Sequence, residues 1–137
     1  MNQAELFRLH PERQHRKPPP KKMKLTRPEP AEAAILASVL QALNFYPSVI
    51  FAHRFNSGAY VVGEGKARRF IRFGFPGCPD ILGMIRGGRM LCIEVKSPTG
   101  KLTDHQERFL DMVRANGGVG FVARSIDDLK EHLGELL

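Results

Sequence analysis

A mixed β-sheet flanked by helices, in the α/β or α+β class, is the architecture this sequence predicts. Three observations carry that expectation. Apolar residues recur at helical spacing after residue 30 and again after residue 103; short strand-forming runs lie between and beyond those segments; and glycine or proline marks nearly every boundary. The 137 residues suit one domain with a real core and leave no room for two.

The first expected helix starts near Pro30, a good first-turn residue, and runs to about residue 44. Ile35, Leu36, Val39, Leu40 and Leu43 form its apolar stripe, and Glu32, three and four positions before Ile35 and Leu36, projects from the core-facing side. Asn44 and Pro47 stop it before a strand over residues 49–54. A glycine-containing connection from Asn56 to Gly65 leads to a second strand over residues 68–73. After the turn through Gly74, Pro76, Gly77 and Pro79, residues 80–86 read as a third strand and residues 90–96 as a fourth. Gly87-Gly88 between them is a two-residue hairpin signal, so those two strands pair antiparallel. Thr103 opens a helix to about residue 116, with Gln106, Phe109, Leu110 and Val113 on one face and Gly117-Gly118 ending it. A last strand over residues 119–123 follows, and Ser125 caps a short helix over residues 127–136.

Composition excludes several classes. Hydrophobic residues make up 42% and charged residues 26%, near the globular average, so the chain is not disordered throughout, collagen-like or membrane-spanning. No signal-peptide h-region and no run of eighteen apolar residues occurs, so neither secretion nor membrane insertion is expected. Cys78 and Cys92 have neither zinc-finger spacing nor the density of a disulfide scaffold, which fits an intracellular, reducing setting. Lys and Arg total 21 against 14 acids, and +6 of the net +7 lies in residues 1–28 around the Pro18-Pro19-Pro20 run. That segment is expected to be a flexible basic tail, with the folded domain over residues 29–137. The tail reads as a phosphate-gripping arm or as a solubilising one, and a basic chain of this kind points to a polyanionic partner, most often nucleic acid.

Along the fourth strand side chains alternate, so Glu94 and Lys96 share a face while Ile93 and Val95 point the other way. Asp80 starts the paired strand and converges on the same end of the sheet. Two carboxylates and a backbone carbonyl form an all-oxygen set suited to magnesium or manganese rather than zinc, and a neighbouring ammonium suits phosphoryl transfer. The plainer reading of Glu94 and Lys96 is a solvated charge pair on an exposed sheet face.

The stretch Gly77-Cys78-Pro79-Asp80 followed by Ile93-Glu94-Val95-Lys96 resembles the PD-(D/E)XK nuclease superfamily. The wider pattern is similar to its VRR-Nuc branch, the virus-type replication-repair nuclease domain. It takes in Glu32, Arg54, Asn56-Ser57-Gly58-Ala59, Gly100-Lys101-Leu102-Thr103, Gln106, Phe109-Leu110 and Gly117-Gly118. The resemblance implies a restriction-endonuclease-like core and a metal-dependent DNA endonuclease, hydrolysing phosphodiester bonds in branched DNA such as Holliday-junction-like or flap substrates. It implies Asp80, Glu94 and the Val95 carbonyl as ligands of Mg2+ or Mn2+, with Glu32 a further candidate ligand. It makes Lys96 the catalytic lysine and Gln106 the supporting polar residue. Stand-alone phage and bacterial members are similar in size, and some resemble dimeric junction resolvases; a homodimer without membrane attachment or small organic cofactor, in a bacterial or phage-infected cytoplasm, is therefore expected.

Each assignment has a structural counterpart. Glu32 also suits the helix dipole of a first turn. Gln106 lies three residues after Thr103, as in a capping box. Lys66, Arg68, Arg69 and Arg72, interleaved with Phe70 and Phe73, form the dense basic stretch of the folded part, and with Arg54, Asn56 and Lys101 they are candidates for DNA contact. Arg68 and Arg72 also fit the wet side of an amphipathic strand. His53 is expected to be packed or hydrogen-bonded and His105 exposed, and neither cysteine is assigned chemistry. A non-catalytic DNA-binding module using the tail and basic strand is the alternative function, and RNA is a substrate that residue types alone do not exclude.

Overall fold

The computed structural model describes residues 30–55 and 58–135, so the tail assigned to residues 1–28, and Asn56, lie outside the described residues. In chain order it has α1 (Pro30–Leu43), β1 (Val49–Arg54), β2 (Gly58–Val62), a 3-10 turn (Gly65–Ala67), β3 (Arg69–Phe73), β4 (Ile81–Ile85), β5 (Arg89–Val95), α2 (Asp104–Ala115), β6 (Val119–Ala123) and α3 (Asp128–Leu133).

β1, β4, β5 and β6 form one mixed sheet in that order. β1–β4 and β4–β5 are antiparallel and β5–β6 is parallel, with α2 as the crossover that a parallel pair requires. The β4–β5 hairpin pairs Ile85 with Arg89 and so turns through three residues, Arg86, Gly87 and Gly88, one more than the expected two-residue turn; the φ values of 84° and 72° at the two glycines are ones that side chains rarely adopt.

Strand β5 is buried on both faces, and its alternation sorts the core into two layers. Leu91, Ile93 and Val95 join Leu36, Val39 and Leu43 of α1 and Leu129 and Leu133 of α3. Cys92 points the other way, against Leu110 and Val113 of α2. Each aliphatic side chain removed from water in this way stabilises the fold by about 1.5–3 kcal/mol. Glu94 follows Cys92 by two residues and therefore shares the α2 face.

The structure departs from the sequence-based expectation in other places as well. Residues 58–62, read as part of a connection, form β2, which pairs antiparallel with β3 as a separate two-stranded ribbon. Tyr60, Val61 and Val62 supply strand propensity that the surrounding glycines mask. The last helix is shorter than 127–136, and its first-turn N–H groups receive no side-chain cap. Ser125 Oγ instead accepts from the N–H of Asp127, while Asp128 Oδ2 accepts from Arg124 and Ser125 N–H groups. His53, expected to be packed or hydrogen-bonded, is exposed on β1, with its ring stacked on Phe51 at 5.9 Å. Among the described residues no helix is long and apolar enough to cross a membrane.

Candidate active site

The site forms where β4 begins and β5 ends. Ile81 pairs with Ile93, so one step further the register sets Asp80 opposite Glu94. Both sides of Asp80 are held: its carbonyl accepts from Phe55 N–H at 2.7 Å, and its Oδ2 accepts from Val95 N–H at 2.8 Å. Pro79 is fully buried and Cys78 nearly so, which anchors the approach to Asp80. Gly77 has φ 81°, and a Cβ there would run into the His105 carbonyl, so only glycine lets this turn pass beneath the first turn of α2. On the other side of β5, the Lys96 N–H donates to Ala123 O at 3.1 Å and ties the end of the strand to β6.

Glu94 is 3% exposed. The solvated charge pair is thereby ruled out, because α2 covers this face of the sheet. Glu94 Oε1 accepts from Gln106 Nε2 at 2.7 Å and lies 3.6 Å from Lys96 Nζ. Burial, and then the negative Asp80 carboxylate within hydrogen-bond reach, push the Glu94 carboxyl up to about 8; Lys96 pulls it down and does not prevail. Two carboxyl groups thus share a largely covered corner with one ammonium, where burial and like charge favour the protonated form of Glu94.

Gln106 serves two structures. Its Oε1 accepts from Thr103 N–H at 2.9 Å and its backbone N–H donates to Thr103 Oγ1 at 3.3 Å, which is a complete capping box. Its Nε2 is spent on Glu94. The capping and the site-directed readings of Gln106 therefore both hold geometrically.

Glu32 does not join the other two acids. Its Oε1 accepts a long 3.4 Å bond from the N–H of Ser97, the residue after Lys96. The Ser97–Gly100 turn is also gripped from β6: Arg124 Nη1 donates to Ser97 O at 2.6 Å and to Gly100 O at 2.7 Å. Neither Ser97, which is buried, nor Arg124 was identifiable as part of this site from sequence. The one signal is position, since Arg124 directly follows β6 and Ser97 lies two residues beyond the end of β5.

Among the described residues no cluster of three or more His, Cys, Asp or Glu is arranged around a common point. The donors that do converge are the Asp80 and Glu94 carboxylates. Such a set fits magnesium or manganese, which commonly take one or two protein carboxylates and keep waters or phosphate oxygens for the rest. The raised Glu94 carboxyl marks a place where positive charge is favoured, which a divalent ion would supply. Cys92 is remote from such chemistry: burial pushes its thiol up to about 12.

The basic residues lie apart from this corner in the chain. Arg54 ends β1 and Lys101 follows the Ser97–Gly100 turn, both exposed; Lys66, Arg68 and Arg69 are exposed along the tip and start of the β2–β3 ribbon, and Arg72 lies within β3.

No curated protein matches the chain closely enough to be counted a relative. The model of one protein family, the VRR-NUC domain, matches residues 32–127. That span opens at the acid of α1, takes in all four strands of the mixed sheet and the helix that covers Glu94, and closes at the threshold of α3. The chain belongs to the VRR-NUC domain family.

Proposed function

We propose that this member of a nuclease-type, DNA-directed family is a divalent-metal-dependent endonuclease that cuts branched DNA. The observation that carries the proposal is the buried Glu94 carboxyl, with Asp80, Lys96 and Gln106 all within reach of it. A solvated surface pair has no need of such an arrangement, whereas a site that must hold a hard cation against a phosphate does.

Asp80, Glu94 and the Val95 carbonyl are the groups that would hold Mg2+ or Mn2+, which when bound acidifies a coordinated water and neutralises charge on the scissile phosphate. The remaining work falls to the chain itself. Lys96 orients the attacking water and stabilises the negative charge that develops on the phosphoryl oxygens. Gln106 fixes the rotation of the Glu94 carboxylate by donating to Oε1. Glu32 and Arg124 hold the turn that follows Lys96, so the lysine leaves a fixed backbone. A four-way junction has two equivalent strands to cut, and one site per chain suits a homodimer. Residues 1–28, with their net charge of +6, are assigned to gripping phosphates outside the folded domain, which we place at residues 29–137.

The test is a panel of duplex, flap, splayed and four-way DNAs incubated with the purified protein in Mg2+ or Mn2+. Cleavage of the branched members that stops with EDTA and returns with manganese is expected. Binding without cleavage in either ion would overturn the proposal and favour a non-catalytic DNA-binding module.

A further inference from the structure

The β2–β3 ribbon is unlike the rest of the fold. Among the described residues its two strands pair only with each other, and no other element packs extensively against them. Residues 61–69 are all exposed. Its tip is nonetheless a closed turn, with Ala67 N–H donating to Glu64 O at 3.1 Å and Arg68 N–H to Gly65 O at 3.2 Å. Residues 58–73 carry four basic residues, Lys66, Arg68, Arg69 and Arg72, against the single acid Glu64.

We propose that this ribbon inserts into the major groove of a B-form DNA duplex arm beside the cutting site, an inference that rests on DNA being the substrate. Its dimensions fit. Five-residue strands at about 3.3 Å per residue are about 17 Å long, and two strands lie about 4.8 Å apart. The major groove is about 8.5 Å deep and about 12 Å wide and admits a two-stranded ribbon.

The placement of charge argues for insertion rather than for lying along one backbone. Arg69 opens β3 opposite Val62, and Lys66 and Arg68 lie at the tip. Three of the ribbon's four basic residues thus fall within residues 66–69, at the end that a groove would admit first. A ribbon lying along one phosphate chain would need its cations spread down its length, whereas the tip of one seated in a groove is flanked by phosphates on both sides. The exposed Val61 lies on the face opposite Val62 and Arg69 and is free to meet base edges, where thymine offers a methyl group.

The experiment compares the wild-type protein with the Lys66→Ala/Arg68→Ala/Arg69→Ala variant in EDTA, where binding is measured without cleavage. The partners are a DNA duplex and an RNA duplex of the same sequence, whose A-form major groove is too deep and narrow for side chains to read. On DNA the variant should flatten the dependence of log affinity on log salt by about 2.7, at about 0.9 per lost phosphate contact. On RNA the slope should hardly change. The wild type should also protect guanine N7, which faces the major groove, from dimethyl sulfate, and the variant should not. Equal loss of slope on both duplexes without N7 protection would overturn groove insertion, as would unchanged binding to both. Because cleavage is not read, these outcomes are separate from those of the substrate panel.

Discussion

Replacing Glu94 with glutamine copies the protonated carboxyl: the amide oxygen still accepts from Gln106, and the amide N–H can donate to Asp80. The wild-type carboxyl is raised from 4.5 to about 8 in the metal-free fold, whereas in the unfolded chain it returns to the ordinary value. A raised carboxyl pKa means that the stabilising contribution of the protonated form is complete below the unfolded value and is lost as pH rises through the folded one. Between about pH 5 and about pH 8 the loss approaches 1.4 kcal/mol per unit, on the order of 4 kcal/mol in all. That is a large part of the 5–15 kcal/mol typical of a domain. Glu94→Gln does not titrate, so in EDTA its advantage over wild type should grow steadily across this window. Urea midpoints of both proteins at each pH provide the assay. Adding Mg2+ near pH 8 should rescue only the wild type, and Glu94→Gln should not cut DNA. Parallel stability profiles for the two proteins from pH 5 to pH 8 would refute the electrostatic reasoning about this corner.

Lys96→Ala should lower single-turnover cleavage by about 10²–10⁴-fold in saturating Mg2+ or Mn2+ while leaving the circular dichroism spectrum unchanged. Thr103→Ala removes one half of the capping box and should cost about 1 kcal/mol with cleavage retained. Gln106→Ala should cost a similar amount in thermal melts and also slow cleavage, because Gln106, unlike Thr103, donates to Glu94. Gly77→Ala, which combines positive φ with a collision against the His105 carbonyl, should destabilise by more than about 1 kcal/mol; a wild-type melting temperature would contradict the packing described for that turn.

The elements of the mixed sheet were legible because local signals agreed. Alternation, the Gly87-Gly88 turn and the Thr103 cap each point to boundaries within a residue of those the structure has. What was not legible depends on contacts distant in sequence. The alternation that separates Glu94 from Ile93 does not reveal that the Glu94 face is covered, because its cover is a helix that begins ten residues later. A better guide was the near-continuous apolar run Met90-Leu91-Cys92-Ile93, typical of a strand buried on both sides. The Arg124 contacts with Ser97 and Gly100 arise only when β6 docks parallel to β5, and no spacing rule encodes them. Strand β2 was hidden for another reason: glycines flank it, and among the described residues it pairs with β3 alone and exposes Val61 and Val62, so no strong hydrophobic pattern marks it.

The shared use of Gln106 makes the start of α2 and the corner at Glu94 a single mechanical unit. If the first turn of the helix frays, the amide that steadies the carboxylate leaves with it. Hydrogen exchange at the Gln106 and Glu107 N–H groups, both bonded to Thr103, therefore doubles as a gauge of how often the site is assembled. A duplex seated against the corner would damp that breathing, slowing exchange at a helix end without necessarily touching it.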